Sequence, residues 1–223
     1  MTKTNLVGYA ATSPSYEVIS CINAFALGAK MVNPYAEIKV AWTRDWNSHE
    51  QFTNADEKFI AQGVDIISNR NLTIPREVTK KYGVYSMLCS IDPQTKQPSH
   101  YLAAPIWDWG AFYEKIIRSV LNDSLKTIAD IFSNNSKLVN FWWGMASGVL
   151  DIYYSKHHVP VETQKLIELM KNMIVNNVYH PFTGPVYDNK GNLKINKDET
   201  ASHNQILNMN WFVDNVDAEA YEK

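Results

Sequence analysis

The chain reads as an α/β protein built on a doubly wound parallel sheet. Short apolar runs recur through roughly the first ninety residues, one amphipathic helical stretch separates each run from the next, and the runs are apolar along their whole length. Strands with no solvent face belong to a sheet covered on both sides, and the crossovers between such strands are right-handed.

The elements follow in order. "NLVGYAA" (5–11) is the first strand, and 13–32 is a helix with Val18, Ile19, Ile22, Phe25, Ala26 and Ala29 at helical spacing. Ser13 is its expected N-cap and Pro14 its first residue. "IKVAWT" (38–43) is the second strand, followed by a helix over 49–63 that places Phe52, Ala55, Phe59 and Ile60 on one face and closes at Gly63. "VDIIS" (64–68), a helix over 74–83 and a strand over 84–91 complete the repeat. Beyond Asp92 the pattern changes to a polar loop (93–100), a strand (101–108), a helix (109–122), a polar connection (123–137) and two short strands around Gly144 within 138–154. A helix over 160–178 starts at Pro160 and carries the stripe Leu166, Ile167, Met170, Met173 and Ile174, which is expected to fill core. A hairpin over 184–195 turns at Asn189-Lys190-Gly191-Asn192.

Composition excludes several functions. Of 223 residues, 45% are hydrophobic and 20% charged; the net charge is −2 and the Lys and Arg are scattered rather than clustered, so neither nucleic acid nor an anionic membrane finds a basic footprint. The two cysteines, Cys21 and Cys89, lie far apart in apolar runs and are expected as buried free thiols. No phosphate-binding glycine loop occurs, and the turn after the first strand is Ala10-Ala11-Thr12-Ser13-Pro14. His157-His158 has no carboxylates at ligand spacing, and Ser147 has no base at a diagnostic spacing. No cofactor, metal or catalytic residue is therefore expected. No 18-residue apolar stretch occurs, and the opening run "MTKTNLVGYA" reads as the approach to a strand, so neither a signal peptide nor a lipobox is expected in it.

Ligands of parallel sheets sit beyond the C-terminal strand ends. The loops there supply Ser13, Trp46, Asn69, Arg70, Asn71 and Asp92: an indole face, amides, one guanidinium fork and a carboxylate. That set suits a planar heterocycle, since stacking on an aromatic side chain contributes about 1–3 kcal/mol per base. A pyranose face can also pack on tryptophan.

The run "VGYAATSPSYEVISCINAFALGAKMVNPYAEIKVAWTRDWNS" (7–48), and then "GVDIIS", "WDWG", "WWGM", "HPFTGPVYDNKGN" and "MNWFVDNV" in order, resemble the basic membrane protein family of ABC-transporter substrate-binding lipoproteins. This resemblance implies a type 1 periplasmic binding protein fold, with a purine base or nucleoside held between two lobes. It implies that Trp46 stacks on the base and that Asp92 is the hinge aspartate bonded to the ligand. Asn69, Arg70 and Asn71 fall where nucleoside binders have a small Gly-containing loop, and Trp107 where they often carry lysine. Both departures resemble relatives that take a free base such as adenine. The resemblance divides the chain into a second lobe (1–95), a strand and helix of an incomplete first lobe (96–137) and a return to the second lobe (138–223). On that division the strand near 101–108 is expected to lack sheet neighbours, pointing to self-association or a separately encoded first lobe. It also implies an extracytoplasmic, membrane-anchored protein with an ABC permease as partner, of which this chain would be a truncated form. The alternative is a cytoplasmic small-ligand sensor of the same fold.

Overall fold

The computed structural model describes residues 2–71, 74, 75, 78, 83–124, 141–219 and 221. Its centre is a seven-stranded sheet in the order β6 (Leu150–Tyr154), β5 (Pro98–Trp107), β4 (Met87–Ile91), β3 (Ile66–Asn69), β1 (Leu6–Ala11), β2 (Glu37–Trp42) and β9 (Val216–Ala218). β1 (Leu6–Ala11) lies parallel to β2 (Glu37–Trp42) and to β3 (Ile66–Asn69), with Val7 opposite Ile38 on one side and Ile66 on the other. β3 is buried at all four positions, as a central strand covered on both faces must be. Helix α1 (Tyr16–Val32) covers one face and α2 (His49–Ala61) the other. The α/β class and the two-faced covering are as expected.

Each helix boundary has a local cause. Ser15, not Ser13, caps α1 by accepting from the Val18 amide, so Pro14 precedes the cap instead of opening the helix. Ser48 caps α2 through the Gln51 amide, and the chain leaves that helix through Gly63 at a φ of +82°. Gly8 has a packing reason: a Cβ there would lie 2.6 Å from the Phe59 ring.

Beyond β3 the direction of the chain departs from the all-parallel expectation. β4 (Met87–Ile91) runs antiparallel to β3, with Ile66 opposite Ser90 and Asn69 opposite Met87. β5 (Pro98–Trp107) reverses again, and β6 (Leu150–Tyr154) reverses once more. Five strands thus share one direction while β4 and β6 oppose it. The turn after Ile91 explains the hairpin between β4 and β5. Asp92 accepts from the amides of Gln94 and Thr95, Lys96 takes a φ of 55°, and the Asp92 amide donates to Gln97. The strand in this region, expected to stand alone, is paired on both sides. Most of the helix expected over 74–83 lies outside the described residues.

Helix α3 (Trp109–Leu121) starts under Asp108, which caps the Ala111 amide. The first of two strands expected around Gly144 is absent from 141–144; a 3₁₀ turn at Met145–Ser147 leads instead to β6. Residues 125–140 lie outside the described residues. α4 (Val161–Val175) buries none of its residues: Ile167, Met170, Met173 and Ile174 are half-covered and Leu166 is exposed, so its stripe does not fill core. The expected hairpin is β7 (Val186–Tyr187) with β8 (Leu193–Ile195). α5 (His203–Leu207) and β9 (Val216–Ala218), which pairs parallel to β2, bring the C-terminal segment onto the α1 face. Cys89 is buried as expected, whereas Cys21 is exposed on α1.

Candidate functional site

The common direction of β1, β2, β3 and β5 gathers their C-terminal ends on one sheet edge. β1 sits between β2 and β3, so Ser13 leaves the sheet between the Trp46 loop and the 69–71 loop. Ser13 is half-buried in its turn, where its carbonyl accepts from the Ser15 amide.

The two indoles of "VAWTRDWN" have different fates. Trp42 ends β2, packs against Phe212 and Tyr221, and donates its Nε1 hydrogen to the Glu219 carbonyl at 2.9 Å. Thr43 is fully buried and Arg44 turns the chain at a φ of 60°. Trp46 then emerges 44% exposed. Its edge rests on the buried Phe52 ring, with centroids 6.4 Å apart at 82°. The Arg70 guanidinium lies 4.3 Å above the indole centroid and also donates to the Trp46 carbonyl.

The loop after β3 is docked onto α2. Asn69 is fully buried: its amide donates to Asp56 Oδ1 at 2.6 Å and to the Phe52 carbonyl at 3.3 Å, and its Oδ1 accepts from the Asn71 amide at 2.9 Å. The Asn71 side chain donates to the His49 carbonyl at 2.8 Å. Asn69 thus shapes the loop from beneath, while Arg70 is its outward-facing cation. Burial pushes the Asp56 carboxyl up to about 6, against the opposing pull of the Asn69 amide and His49. On β4, burial and then the Asp56 charge push the Cys89 thiol up to about 12.

An aromatic row continues along the edge. Tyr85 precedes β4 with its ring 6.4 Å from Trp46, and Trp107 follows at 6.4 Å from Tyr85. Trp107 stacks on Trp109 at 5.8 Å and 12°, and its backbone exchanges two 2.9 Å bonds with Gly83. Tyr85 is 44% exposed, and sequence reasoning overlooked it because it sits inside an apolar run resembling strand.

Trp46, Arg70 and Asn71 therefore form one cluster over Asn69, with Trp107 joined to it through Tyr85. Asp92 stands elsewhere. Because β4 is reversed, Asp92 lies at the opposite sheet edge beside Asp65, on a cavity of about 410 Å³. Its carboxylate is occupied by the Gln94 and Thr95 amides, which hold it below the ordinary carboxylate range. His100 and His158, whose rings are 4.3 Å apart, line that same cavity. Among the described residues no group of three or more His, Cys, Asp or Glu side chains is placed to hold a metal ion.

Residues 1–178 match the family model described as ABC transporter substrate-binding protein PnrA-like, named Bmp. The chain belongs to the Bmp family. Among curated proteins it is similar to a purine-binding protein of Brucella abortus (strain 2308), 30% identical over 218 residues, which are 97% of this chain and 59% of the relative. A candidate ABC transporter glucose-binding protein of Haloferax volcanii is 28% identical over 189 residues, covering 84% of this chain and 46% of that one. The metabotropic glutamate receptor-like protein J of Dictyostelium discoideum is 28% identical over 193 residues, covering 84% and 23% respectively. The chain thus spans about half the length of the first two relatives. No helix among the described residues is long and apolar enough to cross a membrane.

Proposed function

We propose that this Bmp chain recognises a purine nucleobase or nucleoside without catalysis, as part of the extracytoplasmic receptor of an ABC importer. The observation carrying this reading is the exposed Trp46 indole, set on Phe52 and flanked by the Arg70 guanidinium at the sheet edge. A planar guest stacks on the indole in place of the guanidinium, which moves aside and offers its fork to acceptors on the ring edge. Asn71 and Ser13 supply further polar contacts, and Trp107 closes the row through Tyr85. In the complete receptor a second lobe covers the other face of the guest and a membrane permease receives the ligand, while Asp92, at the opposite sheet edge, takes no part in the Trp46 cluster. The Brucella relative's name supports the purine assignment.

A sugar is the second reading, favoured by the name of the Haloferax relative and by the same indole face. One-sided stacking leaves the opposite face of a guest in water, so this chain alone binds weakly. Ligand-observed NMR on the chain with adenine, guanine, adenosine and glucose separates the readings. We expect transfer to the purines and not to glucose, with affinity falling about tenfold to a hundredfold in Trp46→Ala, the equivalent of about 1–3 kcal/mol. Unchanged purine binding in Trp46→Ala, or transfer to glucose alone, overturns the assignment.

A further inference from the structure

We infer that Asp56 is a positioning residue of this site: through Asn69 it holds the 69–71 loop, and with it the Arg70 guanidinium, against Trp46. The inference takes its relevance to ligand binding from the reading above, but its geometry stands independently. A carboxamide can sit in either of two orientations, and its neighbours decide which. An ionised carboxylate only accepts, so Asp56 fixes the Asn69 nitrogen toward α2. The Asn69 oxygen is then aimed at the Asn71 amide, and the Asn71 side chain is free to reach the His49 carbonyl. Arg70 lies between these two anchors, with its guanidinium 4.3 Å above the indole. A protonated carboxyl can donate as well as accept, so it no longer specifies the amide orientation. The elevated titration range of Asp56 places that change near pH 6. The titratable groups coupled to Asp56 are His49 in the first turn of the same helix and Cys89 on β4.

The test follows Trp46 without ligand, as the difference in emission and acrylamide quenching between the protein and its Trp46→Phe variant. The titration runs from about pH 8 to about pH 5, the range in which carboxylates with raised values and histidines change charge. We expect one transition near pH 6, retained in His49→Gln and lost in Asp56→Asn, whose carboxamide, like the protonated carboxyl, donates as well as accepts at every pH. Asp56→Asn holds Trp46 at every pH at the quenching the protein reaches below its transition, and Asp56→Ala, which leaves the Asn69 amide without that partner, keeps Trp46 more strongly quenched than the protein above its transition. A transition that survives in Asp56→Asn or disappears in His49→Gln overturns the inference, as does wild-type quenching in Asp56→Ala. Because no purine is added, this result and the purine reading can fail separately.

Discussion

The two ends of the sheet are built from the same kinds of element but finished differently. Around β1, β2 and β3, α1 buries Ile19, Ile22 and Ala26 on one face, and α2 buries Phe52, Ala55 and Phe59 on the other. Around β5 and β6, α3 buries only Ser119, while Tyr113, Ile117, Val120 and Leu121, which form one helical stripe, stand 55–78% exposed. α4 buries no residue. An apolar stripe is thus necessary for core formation but not sufficient, because its stabilisation comes from the surface removed from water by a facing element. At the closed end such surfaces are present, and the candidate site stands on that end: Trp46 rests on Phe52, and the Arg70 loop is tied to α2.

The sharpest test of this contrast is a pair of truncations read by chemical denaturation. Phe59→Ala removes a ring that is 1% exposed, at an expected cost of about 3–5 kcal/mol. Leu121→Ala removes a side chain that is 78% exposed and should change stability by no more than about 0.5 kcal/mol. Similar losses in the two variants would mean that α3 is covered in solution, and the contrast would disappear. A finer probe adds volume to the closed end. In Gly8→Ala the new methyl meets the Phe59 ring, forcing a shift that costs about 1–3 kcal/mol. Gly144→Ala, where no atom lies within 4 Å of the added carbon, is the control.

The closed end was also the more legible in sequence. α1, α2 and the first three strands announce themselves through local periodicity and sit within a few residues of their expected places. The reversal of β4 is not written in periodicity, because an apolar run has the same pattern in either direction. The local signal was Asp92 in "DPQTKQ", an aspartate placed to satisfy the amides of a tight turn. That reversal separates Asp92 from Trp46 in this chain. Trp46, Arg70 and Asn71 could be placed from sequence because strand ends define the edge. Asp56 could not, since its contact with Asn69 joins one turn of α2 to the end of β3, a tertiary pairing that neither segment signals alone.

The smallest expected effect is a pH dependence of stability within the closed end. Burial raises the Asp56 carboxyl to about 6 in the folded chain, whereas an unfolded aspartate titrates near about 3.9. Between these values the folded state binds the proton and the unfolded state does not, so stability from this group is fully present below the lower value and is lost as pH rises through about 6. Lowering pH from about 7 to about 5 should therefore stabilise the protein by about 1 kcal/mol through Asp56. The comparison with Asp56→Asn isolates this contribution, because the variant retains every other titrating group. Urea midpoints measured at both pH values should converge for the two proteins as pH falls, with Asp56→Asn the more stable at pH 7. If the two midpoints keep a constant separation, Asp56 has an ordinary titration in the folded chain, and its carboxylate is hydrated where the packing of α2 against β3 shows it half-buried.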